Sequence, residues 1–150
     1  MSYVEYEEMD YDDEIIESVS LKFVSVLFEQ IPEDSSLYIS DYIDSFIEEN
    51  VHMEFFNWEV ENDYPMYYKR RFILNSDCRK YLLKDHNATL FANGAYFCHY
   101  MIRNKAKIYV VVYDGCHFDI DSSIHIPEEL IQDCEKYLDQ DFYFSNPVTL

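Results

Sequence analysis

The chain predicts an α+β fold, and three observations carry that expectation. Apolar residues fall at helical spacing near the start, two glycine turns separate β-branched and aromatic runs further on, and a proline opens an amphipathic segment near the end. The expected architecture is an N-terminal helix pair, an antiparallel β-meander with two tight hairpins, and a C-terminal helix. Residues 1–13 read as an acidic flexible tail and residues 14–150 as a single domain. A chain of 150 residues that is 49% hydrophobic has material for one core. Its 18% aromatic content makes ordering worthwhile despite the charge.

Taken in order, residues 1–13 carry Glu5, Glu7, Glu8, Asp10, Asp12 and Asp13 with no cation, so like-charge repulsion favours an extended tail. From Glu14 to Gln30, Ile16, Val19, Phe23, Val26, Leu27 and Phe28 recur near helical spacing, and Pro32 marks the stop. A second helix is expected after Ser35 or Ser36, with Ile39, Tyr42, Ile43, Phe46 and Ile47 as its apolar stripe and Asp41, Asp44, Glu48 and Glu49 as its wet face. Residues 51–60 fit a strand with a bulge, or one helix face; strand is preferred. Tyr67 to Leu74 reads as a further strand and Ser76 to Lys84 as a short helix.

Asn93-Gly94 and Asp114-Gly115 are hairpin dipeptides, because type I′ turns need positive φ at both central positions. Strands near 88–92, 95–103, 107–113 and 116–120 follow, with Arg103-Asn104-Lys105-Ala106 as the middle turn. Ile108 to Tyr113 is apolar throughout, as in a central strand covered on both faces. Pro127 suits a first helical position and opens a last helix through about Leu138.

Charge is sorted into blocks. Residues 1–64 hold 19 acids and one base, residues 69–107 hold nine bases and two acids, and residues 108–150 hold nine acids and one base. The net charge is −19. Such segregation builds a surface suited to an oppositely charged partner. The N-terminus has neither the basic nor the apolar region of a secretory signal, and no apolar run approaches the ~18 residues of a membrane span. A cytoplasmic location with Cys78, Cys98, Cys116 and Cys134 reduced is therefore expected, with no membrane partner.

Reaction chemistry is weakly marked. Cys98-His99 and Cys116-His117 invite a zinc reading, but neighbouring residues in a strand face opposite ways, and a meander would interpose a whole strand between the pairs. No metal and no cofactor is expected. Cys78, beside Arg79 and Lys80, is the best placed thiol for nucleophilic work, against the simpler reading that it packs inward. No carboxylate pair stands out among 30 acids, and the tail lacks the pattern of a calcium loop.

The expected function is therefore non-enzymatic: an acidic interaction protein that binds and neutralises a basic partner protein. Its candidate contacts are Tyr6, Asp10, Tyr11, Asp12 and Asp13 in the tail and Asp41, Asp44 and Glu48 on the second helix. In composition the chain resembles toxin-neutralising immunity proteins and viral or phage antagonists, or a nucleic-acid mimic, although no motif carries the resemblance. The alternative is RNA or single-stranded DNA binding through Lys69, Arg70, Arg71, Arg79, Lys80, Arg103 and Lys105, interleaved with tyrosines and masked by the tail.

Overall fold

The computed structural model describes residues 3–39, 59–60, 70–84 and 86–145, with the backbone alone at 3–12, 59, 60, 70 and 72. Helix α1 (Tyr3–Gln30) runs through residues 3–13, so the backbone of the expected tail forms its opening turns, where acids suit a helix N-terminus. Val19, Phe23, Val24, Leu27 and Phe28 recur at helical spacing and are all buried. Pro32 disfavours helix at the residue before it, and the chain turns, with the Ser35 N–H donating to the Pro32 carbonyl at 3.1 Å.

Strand β1 (Ser36–Ile39) follows, buried at every residue. This corrects the expectation of a second helix starting here. Leu37 and Ile39 face α1 while Tyr38 faces the other way, a period of two that the longer helical pattern from Ile39 onward had obscured. The rest of that expected helix, with Asp41, Asp44 and Glu48, lies outside the described residues, as does most of 51–60, of which β2 (Glu59–Val60) is a strand. Strand β3 (Arg70–Ile73) and helix α2 (Ser76–Leu82) match their expectations, the latter capped by Asn75 Oδ1 accepting the Cys78 N–H at 2.9 Å.

Residues 88–92, expected as a strand, belong to helix α3 (Asn87–Ala92). Ala88, Phe91 and Ala92 keep helical spacing and are buried, and two alanines favour helix. Gly94, at φ +81°, ends this helix rather than making a hairpin, and the Tyr96 N–H returns to the Leu90 carbonyl at 3.0 Å.

Strands β4 (Tyr100–Asn104), β5 (Lys107–Tyr113) and β6 (His117–Asp121) form the meander, its first turn a two-residue loop with Lys105 at φ +55°. Its second turn is closed by the Cys116 N–H donating to the Tyr113 carbonyl at 3.2 Å, with Asp114 at φ 54° and Gly115 at φ 70°, as expected of a type I′ turn. Helix α4 (Glu128–Tyr137) starts after Pro127, and β7 (Asp141–Ser145) returns parallel to β6. That parallel strand was not anticipated. It needs a long crossover, which α4 supplies.

The sheet order is β2-β3-β1-β4-β5-β6-β7, antiparallel except for the last pair. Helices α3 and α4 both pack against α1. The main core joins α1 to Leu37, Ile39, Tyr100, Ile102, Val110 and Val112. A register shift between Ile102 and Arg103 leaves Tyr109 as an extra residue, so Ile102 pairs with Val110 and Arg103 with Ile108. The bulge turns Ile108 to the opposite face, where it joins Tyr38, Met101 and Val111 in a second buried cluster. β5 is thus covered on both faces through Val110–Val112, as its composition predicts, while Tyr113 at its end is exposed.

Candidate functional site

Alternation along β5, β6 and β7 sorts their residues between two faces. Phe118 and Phe142 pack edge-to-face against Phe23 and tilted against each other on the core side, with centroids 5.3–5.5 Å apart. The register places Tyr113 opposite His117, His117 opposite Asp141, and Asp119 opposite Tyr143, so these five share the other face. They border a hollow of about 240 Å³, with Phe118 and Phe142. Tyr143 is 68% exposed and Tyr113 44%. His117 Nδ1 lies 3.0 Å from Asp141 Oδ2, and Ser145 Oγ donates to Asp119 Oδ1 at 2.6 Å. None of the described residues lining the hollow is Lys or Arg.

The β5–β6 turn is fixed at its tip. A Cβ built on Gly94 would lie 2.5 Å from Gly115 Cα, so the two glycines meet backbone to backbone. The Gly115 N–H donates to the Cys98 carbonyl and the Asp141 N–H to the Cys116 carbonyl, both at 2.8 Å. Negative charge gathers here: burial pushes the Cys116 thiol up, and Asp141, Asp114, Asp139 and Cys98 push it further.

The two Cys–His pairs stand differently from the expectation. Cys98 and His99 lie in a bend before β4, and Cys116 lies in the turn after β5, so neither pair is wholly within a strand. Cys98, His99 and Asp114 each offer a ligand atom within 4.8 Å of the others. Strand β5 does stand between β4 and β6, as expected, and Asp114 joins the first pair because the turn after β5 lies beside the start of β4.

Among the described candidate basic residues, Arg71 and Arg103 share the face of the sheet that carries Tyr38, whereas Arg79 does not join them. Arg79 is 8% exposed and is withdrawn from any nucleic-acid surface. Its guanidinium donates to the carbonyls of Phe28 at 2.7 Å, Ile31 at 2.9 Å and Pro32 at 2.6 Å, and Nε donates to Leu74 at 2.8 Å. The last turn of α1 has no cation of its own, so Arg79 satisfies the carbonyls at that end. Arg103 lies over the Tyr38 ring at 5.6 Å and donates to the Lys105 carbonyl at 2.6 Å. Arg71 is half-buried in β3, whereas Lys80 and Lys105 are exposed. Lys69 and the side chain of Arg70 lie outside the described residues, as do the side chains of Tyr6, Asp10, Tyr11 and Asp12; Asp13 is exposed on α1.

Cys78 is fully buried, and desolvation pushes its thiol up to about 12 despite Arg79 beside it, the reverse of an activated nucleophile. Sequence reasoning overlooked Tyr113, Asp119, Asp141 and Tyr143. The signal available for the last two was the alternation Asp141-Phe142-Tyr143-Phe144-Ser145, a strand pattern outside the expected meander. Comparison with protein-family models, curated proteins and solved structures finds no match to the chain.

Proposed function

We propose that this protein is a non-enzymatic binding module that engages a basic partner protein through the face formed by Tyr113, Asp119, Asp141 and Tyr143. The observation that carries this reading is the hollow itself, with exposed tyrosines beside carboxylates and no Lys or Arg among its described lining residues. Aromatic rings supply area at low entropic cost, and carboxylates beside them favour a Lys or Arg side chain through charge and cation–π attraction. The net charge of −19 steers a basic protein toward the surface and repels phosphate. Withdrawal of Arg79 into the fold takes one cation away from the rival nucleic-acid surface. A module seated on a basic face also blocks that face from polyanions, which is the chemistry of an antagonist.

The test is a salt-titrated binding assay on the full chain, with a highly basic protein and single-stranded RNA as probes. Capture of the basic protein should weaken as salt rises, and Tyr143→Ala should weaken it by about tenfold or more. Asp119→Asn with Asp141→Asn should weaken it more than two neutralisations at exposed Glu29 and Glu135. Preferential RNA capture, or equal loss from both pairs of substitutions, would sink this reading.

A further inference from the structure

We infer that Cys98, His99 and Asp114 form a binding site for one divalent metal ion of zinc's class, open to solvent on the Asp114 side. The donor set is a thiol, an imidazole and a carboxylate, a combination that suits a borderline-soft ion and not calcium or magnesium. The ligand atoms lie within 4.8 Å of one another, and His99 Nε2 is 3.6 Å from Asp114 Oδ1. Tetrahedral zinc holds such atoms about 3.3–3.6 Å apart at its usual bond lengths, so a small closure completes the geometry.

Two features of the backbone assemble this set. The bend at Cys98 and His99 frees adjacent residues from pointing to opposite faces, as they would within β4. The contact between Gly94 and Gly115 and the bond from the Gly115 N–H to the Cys98 carbonyl then hold the turn that carries Asp114 over them. His99 Nδ1 accepts the Asp114 N–H at 3.3 Å, which assigns the ring proton to Nε2. A metal taking either nitrogen displaces one of the two contacts between His99 and Asp114, and its bond to the Asp114 carboxylate replaces it. Cys98 releases its thiol proton on binding, so the apparent affinity rises with pH.

The experiment uses the full chain, reduced and stripped with a chelator, titrated with Co²⁺ and then Zn²⁺. One equivalent of Co²⁺ should raise a thiolate-to-cobalt charge-transfer band, and one equivalent of Zn²⁺ should bleach it. Cys98→Ser should abolish the band. Asp114→Asn should lower Co²⁺ affinity by about tenfold or more, and Asn tolerates the positive φ at this exposed position, so the fold is kept. His125→Ala, at an exposed site, should change nothing. A folded chain with no such band overturns the proposal, as does a band that survives Cys98→Ser or an affinity indifferent to Asp114→Asn.

Discussion

Gly94 and Gly115 lie against each other so closely that a Cβ on Gly115 would stand 2.9 Å from Gly94 Cα and 3.0 Å from the Asn93 carbonyl oxygen. One ends helix α3 and the other turns the chain from β5 to β6. Their contact joins the helical layer to the end of the sheet where the hollow begins.

Gly94→Ala should therefore destabilise the protein by about 2 kcal/mol or more, because it adds a left-handed alanine to a backbone clash. Gly115→Ala should do the same. A urea titration of each variant gives the measurement, and an unchanged midpoint would refute the close approach.

Arg79 should behave as a structural residue. Arg79→Met leaves the carbonyls of Phe28, Ile31 and Pro32 without their buried donor, and a loss of about 3–5 kcal/mol is expected. Lys80→Met, on the exposed side of α2, should stay within about 0.5 kcal/mol of the parent protein. Comparing the two by urea denaturation separates a cation that holds the end of α1 from one that only contributes to the surface field.

The cysteines should divide by burial. Desolvation pushes the thiols of Cys78 and Cys134 up to about 12, the latter raised further by Asp133 and Glu135. Both should resist alkylation in the native protein near neutral pH and react once urea unfolds it. Partly exposed Cys98 and Cys116 should react first, and peptide mass spectrometry after a timed iodoacetamide pulse reads the order. Rapid native labelling at Cys134 would contradict its place on the buried face of α4.

Asp121 should contribute a pH dependence of known sign. Burial raises its carboxyl, but hydrogen bonds from the Ser123 side chain and N–H, with Lys107 at 3.6 Å, more than offset this and leave it below the ordinary value. A depressed carboxyl contributes stability that is present above the unfolded value of about 3.9 and is lost as pH falls through the folded one. Asp121→Asn should remove that part of the acid dependence, and Lys107→Met should reduce it. Thermal melts between neutral and acidic pH test both variants, and profiles parallel to the parent's would refute the assignment.

Legibility in the sequence follows how local each signal is. Helices α2 and α4 and most of α1 are readable because their caps and apolar spacing lie within the elements themselves. The turn at Asp114-Gly115 is readable for the same reason. Asn93-Gly94 misleads because one dipeptide serves two purposes: positive φ ends a helix as well as it makes a hairpin. β1 is hidden since four residues between a turn and a longer helical pattern carry little periodicity. The hollow is the least legible feature, because its two walls, Tyr113 and Tyr143, are 30 residues apart in sequence and meet only through the parallel pairing of β6 with β7. The convergence of Cys98, His99 and Asp114 is missed through the assumption that Cys98 and His99 lie in a strand.

The late position of β7 has a consequence for biosynthesis. The ribosome delivers α1, the meander and α4 first, and only then the strand bearing Asp141 and Tyr143. A nascent chain can collapse around Phe23 and Phe118 while one wall of the hollow is still in the exit tunnel. The hollow therefore takes shape only once the crossover through α4 has brought β7 beside β6, after the contacts around Phe23 and Phe118 are already available.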